Sequence, residues 1–352
     1  MKAGVIYATG DIRYADFPDP SCGADDIIVK VAACGICGSD SPRILSGWKY
    51  PLPGVPGHEF SGTVVEIGKN VKNFKAEDKV AVQPFIPCCS CDNCRTGYVS
   101  MCDGAQMIGA DMPGGYAEYC RVPATNAVVL GDVNLTEAAL LEPCAVSLYG
   151  VLGIEPVLGD TVAILGCGTI GQLALKWFRI AGVRRIIAVD ISPTKLAEAR
   201  ALGADECVNG LEQDTVEAIL ELTHGKGVDI AMETAGSKIT QEQCLLVAKK
   251  RGKVGFLGIA RSDILLREKS FESIFRHELT LRGFWNSYSA PFPGPAWMRS
   301  IEAFQDGTID FKPFISHKFP LSKVTDVFEM IQGRKEEYNK ILFVMDEEGG
   351  KA

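Results

Sequence analysis

The chain has 352 residues, of which 47% are hydrophobic and 23% charged, and a formal net charge of -8. That length exceeds one ordinary core and predicts two domains. No unbroken apolar run could span a bilayer, and the negative balance opposes nucleic acid, whose binding rests on Lys and Arg at phosphates, so membrane and nucleic-acid roles are not expected.

The N-terminal stretch "MKAGVIYATGDIRYADFPDP" reads as an alternating strand and turn. It has no basic start, apolar block and cleavage site of a secretory signal, and a cytoplasmic protein is expected. Thirteen cysteines in a reducing compartment then point to metal ligands, catalytic groups or buried thiols rather than disulfides. Up to about residue 140 the chain is rich in Gly and Pro, and "DIIVKVAA", "SGTVVEIG" and "DKVAV" predict short strands of a β-rich domain.

"VAACGICGSDSPRI" sets Cys34 and Cys37 three apart, a spacing open to a zinc clip, a redox pair or one working cysteine. "PGHEFSG" follows with His58 and Glu59 between glycines. A thiolate, an imidazole and a carboxylate from separate turns suit a catalytic zinc with a place left for water or substrate. A turn histidine paired with its neighbouring glutamate is the structural alternative.

"CCSCDNCRTGYVSMC" places Cys88, Cys91, Cys94 and Cys102 where four thiolates can wrap one tetrahedral Zn²⁺ at about 2.3 Å from sulfur. Four protein ligands leave no open position, so a structural ion is expected; an iron–sulfur cluster is the rival occupant. Cys89 breaks the spacing and reads as a spectator. Glu142, in "AALLEPCAV", calls for a cation or a capped turn in its apolar surroundings.

From Asp160 strands alternate with helices: "TVAILG", "QLALKWFRIAG", "RIIAVD", "TKLAEARALGA" and "VDIAMETAG". This pattern predicts a doubly wound parallel sheet, a Rossmann unit. Gly166, Gly168 and Gly171, with Thr169 and Ile170 between them, form G-x-G-x-x-G directly after a strand and at a helix start, the position for a dinucleotide pyrophosphate. Asp190 ends the second strand, where a carboxylate accepts from the adenosine ribose diol and repels a 2′-phosphate, so NAD is expected. Lys195 either lines that pocket or is an exposed helix lysine. His224 and His317 read as loop or surface residues. "PAWMRSIEAFQDG" and "KVTDVFEMIQG" predict amphipathic helices, "KILFVM" a closing strand, and the tail after Met345 frayed chain.

Cys37-Gly-Ser-Asp40, Gly57-His58-Glu59, the Cys88–Cys102 lobe, Glu142 and the Gly166–Asp190 fingerprint together resemble the zinc-dependent medium-chain dehydrogenase superfamily over essentially the whole chain. The resemblance implies an α/β protein. A β-rich GroES-like catalytic domain would take residues 1–147 and 288–352, and a doubly wound Rossmann cofactor domain 148–287. It implies two zinc ions per subunit, one structural and one catalytic, the latter held by Cys37, His58 and a carboxylate from Glu59 or Glu142. It makes Ser39 the hydroxyl that passes the substrate proton and Asp40 the partner that orients His58. Pro42 stands where some relatives continue the proton relay with histidine, leaving water or a ribose hydroxyl to finish it. Cys34 is read as core filler, and Cys144 as a weaker substitute ligand.

Glu142, where alcohol dehydrogenases offer a second cysteine, resembles the polyol dehydrogenase branch. "CGSDSPRI", "GWKYP", "GHEFSG" and "GFWNSYSAPFPGPAW" resemble its members acting on sugar-alcohol phosphates. Sorbitol dehydrogenases carry an Arg-Tyr pair about where Trp285 and Asn286 stand here. Arg43 and Lys49 are candidates to meet a phosphate, or else exposed basic residues. The implied reaction is NAD-dependent oxidation of a secondary alcohol to a ketose phosphate. A free-polyol (sorbitol or L-iditol) or threonine dehydrogenase is the alternative. Cys37, His58 and Glu142 argue against a non-catalytic zinc- or NAD-binding relative. The resemblance further implies strand pairing across a two-fold axis in a homodimer or homotetramer.

Overall fold

Alternation of apolar and polar residues makes Lys2–Ala8 and Asp11–Asp16 an antiparallel hairpin, buried along Ala3, Val5 and Ile6. The computed structural model describes residues 1–260 and 262–345, so the tail expected to fray lies outside the described residues. The chain divides into two compact units, one of Met1–Glu142 with Tyr288–Ala352 and one of Pro143–Ser287.

The first unit is built on a seven-stranded sheet. Its main path runs Ile315–Pro320, Lys340–Val344, Asp26–Gly35, Glu59–Ile67, Lys79–Val82 and Ala127–Val129, and Tyr119–Pro123 also pairs with Asp26–Gly35. Val29, Val31, Cys34, Phe60, Val64, Tyr116 and Phe343 belong to one buried cluster with Val324, Val327 and Phe328 from the helix Val324–Gln332. The strand Lys340–Val344, drawn from the far end of the chain, takes an interior place in the sheet and pairs antiparallel with residues 33–35. That pairing sets Lys340, at its start, close to the end of Asp26–Gly35.

The second unit holds six parallel strands in the order Glu206–Asn209, Arg185–Asp190, Thr161–Leu165, Val228–Glu233, Ala248–Phe256 and Thr280–Gly283. Helices cover a parallel sheet on both faces, so its central strands are apolar throughout; all five residues of Thr161–Leu165 are buried. Side-chain caps start its helices: Ser192 accepts from Lys195 N, Asp214 from Glu217 N and Ser237 from Ile239 N. The strand order reverses between Thr161–Leu165 and Val228–Glu233, where a doubly wound sheet opens a crevice for a ligand.

The expected boundary at 147/148 compares with 142/143 here. The reason is local: Leu141-Glu142-Pro143 opens the helix Leu141–Ile154, since proline is tolerated in a first turn, and the units divide inside that turn. Glu142 thus stands in a helical first turn rather than in a capped loop. Among the described residues no helix is long and apolar enough to cross a membrane.

Candidate active site and metal centres

The strand Asp26–Gly35 runs straight into the first site. Asp40, at the start of the helix Asp40–Ser46, folds back to accept from Cys37 N at 3.0 Å and from the Tyr116 hydroxyl at 3.1 Å. That carboxylate is 1% exposed. Its other oxygen lies 3.4 Å from His58 Nδ1, close enough for charge attraction although the nitrogen misses hydrogen-bond geometry. Gly57, at φ +96°, allows the turn before His58, and a side chain there would collide with the Tyr116 ring. Cys37 Sγ, a His58 ring nitrogen and a Glu59 carboxylate oxygen lie within 4.8 Å of one another. Sulfur, nitrogen and oxygen donors at that separation fit a divalent ion such as Zn²⁺ with room for a further ligand.

Charges around this donor set are balanced inside the protein. Burial alone would lower the His58 imidazole, but Asp40 and Cys37 hold it well above its ordinary value. Lys340, 3% exposed, donates to Glu59 Oε2 at 2.5 Å and to the Ile36 carbonyl at 3.0 Å. Burial raises the Glu142 carboxyl to about 7, with Glu59 adding to the rise while His58 and Lys340 oppose it. Glu142 therefore feels the site's charges, although its carboxylate is not one of the three donors gathered within 4.8 Å. The Ser39 hydroxyl donates to Cys37 Sγ at 3.2 Å, the same sulfur that its amide approaches at 3.5 Å. Cys34 is fully buried in the sheet's core cluster, and Cys144 is fully buried as well.

Arg43, one turn along the helix from Asp40, stacks its guanidinium 5.6 Å from the Tyr50 ring. Its charge helps hold Asp40 ionised, and its Nη1 is buried with no hydrogen-bond partner. Lys49 is exposed. Trp285, 57% exposed, and the buried Asn286 belong to the second unit.

The sulfurs of Cys88, Cys91, Cys94 and Cys102 lie within 4.8 Å of one another. Amides of Ser90 and Cys91 and the Ser90 hydroxyl point at Cys88 Sγ, and the Cys88 amide donates to Cys102 Sγ at 3.2 Å. Hydrogen bonding from Ser90 and Cys91 holds the Cys88 thiol down to about 5, so one ligand is ready as thiolate. The four sulfurs fit a closed structural zinc site. Cys89, at φ +55°, turns its thiol out toward the Pro87 carbonyl.

In the second unit Gly166 adopts φ +109°, and a side chain at Gly171 would collide with the Gly166 carbonyl. Gly168 caps the helix Thr169–Ile180, and a Cβ there would meet only open space, leaving backbone accessible to a pyrophosphate. Asp190 Oδ2 accepts from Cys167 N at 2.6 Å, and Oδ1 accepts from Ile191 N at 2.8 Å and Ser192 N at 3.0 Å. This carboxylate braces the glycine loop. Lys195 is half-buried in the first turn of Pro193–Ala201. His224 is an exposed turn residue, and His317 faces Glu336 at 3.3 Å.

Lys340 and Tyr116 escaped the sequence reading. Lysine opening the otherwise apolar "KILFV" was the available signal for the first; an aromatic beside "GG" carried none for the second.

A family model described as the alcohol dehydrogenase GroES-like domain matches residues 23–132, and one described as zinc-binding dehydrogenase matches residues 169–300. Galactitol 1-phosphate 5-dehydrogenase of Escherichia coli strain K12 is 33% identical over 320 residues, covering 90% of this chain and 92% of that protein. A crystal structure of galactitol-1-phosphate dehydrogenase from Escherichia coli superposes with a TM-score of 0.93, at 32% identity over 98% of this chain and 100% of that one. Sorbitol dehydrogenase of Bacillus subtilis is 29% identical, covering 97% of this chain and 96% of that protein. A zinc-binding dehydrogenase from Sinorhizobium meliloti 1021, solved bound to NADP, gives a TM-score of 0.89 at 32% identity over 97% of this chain and 98% of that one.

Proposed function

Because this chain belongs to the zinc-dependent medium-chain dehydrogenase family, we propose that it oxidises a secondary alcohol of a sugar-alcohol phosphate, of the galactitol 1-phosphate type, to a ketose phosphate with NAD. One observation carries the substrate class: Arg43 keeps a buried, unpartnered guanidinium nitrogen close to Asp40, and a phosphate dianion would satisfy it. Lys49, Trp285 and Asn286 are the further substrate residues of this reading.

Bound zinc would supply the Lewis acidity that lowers the alcohol's pKa, and bound NAD the acceptor for the hydride. The rest falls to side chains. Cys37 and His58 supply two ligands and Glu59 or Glu142 the carboxylate, while Asp40 fixes the imidazole's orientation. Lys340 holds Glu59 in place. The Ser39 hydroxyl turns from Cys37 Sγ to take the alcohol's proton, and Pro42 leaves water or a ribose hydroxyl to carry it onward. Gly166, Gly168, Thr169, Ile170 and Gly171 receive the pyrophosphate. Asp190, with Lys195 nearby, receives the adenosine ribose and disfavours a 2′-phosphate. The Cys88, Cys91, Cys94 and Cys102 site holds the second, structural zinc.

The exposed edge strand Thr280–Gly283 supports self-pairing in a homodimer or homotetramer. Turnover of free and phosphorylated alditols and of threonine, each with NAD and NADP, tests the reading. Phosphorylated alditols with NAD are expected to lead, and Arg43→Ala should raise KM for them alone. Equal or better turnover of unphosphorylated sorbitol, or of threonine, would reject the phosphate.

A further inference from the structure

Glu233 ends the strand Val228–Glu233, beside Leu165 in the neighbouring strand, and is 0% exposed. The proposed chemistry makes no use of it. A buried carboxylate is costly unless its oxygens are engaged, and only half of this one is. Oε1 accepts from Ala235 N at 3.0 Å, Gly236 N at 2.9 Å and the Thr240 hydroxyl at 2.7 Å. Oε2 is buried with no hydrogen-bond partner and faces Gly258, where any side chain would collide with it. Burial raises the carboxyl above its ordinary value against the pull of those three donors.

The turn that Oε1 gathers is the floor of the glycine loop. Thr234 donates from its amide to the Leu165 carbonyl at 2.9 Å and from its hydroxyl to the Gly166 carbonyl at 2.6 Å. A side chain on Gly166 would press on Ala235, and one on Gly171 on the Thr234 hydroxyl. The Glu233 carbonyl accepts from Leu257 N and Gly258 N, tying in a third loop, and a side chain on Gly236 would collide with the Ile259 carbonyl. Three loops at the carboxyl end of the sheet, 166–171, 234–237 and 257–259, are thus linked through the turn that this carboxylate holds.

We propose that Glu233 is a positioning residue for the dinucleotide: it touches no cofactor, but its Oε1 fixes the Thr234–Ser237 turn that sets the Gly166–Gly171 loop at its phosphate-binding height. The inference rests on the dinucleotide reading above.

The test is direct titration of full-length, zinc-loaded protein with NAD and with NADP, followed by calorimetry, alongside zinc content, thermal unfolding and steady-state kinetics. Glu233→Ala should weaken NAD binding by about tenfold or more and raise KM for NAD, while kcat at saturating NAD stays within about threefold. Glu233→Gln keeps an oxygen acceptor at Oε1 and should bind NAD within about threefold of the parent. Thr234→Val cuts only the link to Gly166 and should weaken NAD in the same sense; it decides the matter should Glu233→Ala not fold. Parent-like affinity in both Glu233→Ala and Thr234→Val would overturn the proposal, even with a lowered melting temperature. So would Glu233→Gln as damaging as Glu233→Ala, because charge rather than the acceptor would then matter. A parent protein that binds neither NAD nor NADP would instead overturn the dinucleotide reading, and this inference with it.

Discussion

Lys340 Nζ lies 2.5 Å from Glu59 Oε2, with the two side chains 4% and 2% exposed, beside Cys37 and His58. Removing one partner of such a pair strands the other's charge. Lys340→Met should therefore cost about 3–5 kcal/mol of stability in urea unfolding, while the double variant Lys340→Met/Glu59→Gln should recover most of it. A double variant no more stable than Lys340→Met would contradict the pairing as the source of the loss.

The two cysteines three apart should separate cleanly. Cys37→Ala should reduce zinc from two ions per chain to one and abolish turnover, leaving the cysteine lobe loaded. Cys34→Ala, in the core cluster, should keep both ions and most activity. Metal analysis by mass spectrometry reads both results, and zinc lost from Cys34→Ala would refute the division.

Among the described residues the lobe's buried cluster is small, Phe85, Val99, Cys102 and Tyr288 with a few half-buried neighbours, too little apolar burial to hold the loop alone. Cys94→Ala or prolonged chelation should release the lobe's zinc and expose the chain at Arg95 to trypsin. Cys89→Ser should leave zinc content and cleavage as in the parent, since that thiol faces outward.

Glu242 offers a pH signature away from the metals. Hydrogen bonds from Arg267, with a further one from Ser270, hold its carboxyl down to about 2. The folded value lies below the unfolded one, so the stabilisation is complete above about pH 4.5 and drains away as pH falls toward 2. Thermal unfolding across that window should show a shallower acid loss for Glu242→Gln than for the parent; parallel curves would refute it.

Local features were the legible ones. Cys88 to Cys102 and Gly166 to Gly171 each bring their groups together within a short stretch, so spacing alone carries the geometry. The parallel sheet was legible because its central strands are continuously apolar and alternate with helices. The Glu59–Lys340 pair was not, because it joins residues 281 apart through strand pairing that no local pattern announces. Glu142 in a helix depends on Pro143 being read as a helix start rather than a stop. Glu233 looks like an ordinary strand end until its hold on the turn beneath the glycine loop is seen. The Ser39 hydroxyl on the Cys37 sulfur was likewise hidden, since spacing places a hydroxyl near a thiol without saying which way it turns.

The strand Lys340–Val344 occupies an interior place in the first unit's sheet, between Ile315–Pro320 and Asp26–Gly35. During synthesis on a ribosome, residues 1–142 emerge with that place vacant and Glu59 lacking its cation. The whole second unit is made before the missing strand arrives. Its six strands are contiguous in the chain and can close meanwhile. The donor set of Cys37, His58 and Glu59 thus gains the buried cation that faces Glu59 only after the second unit has been made.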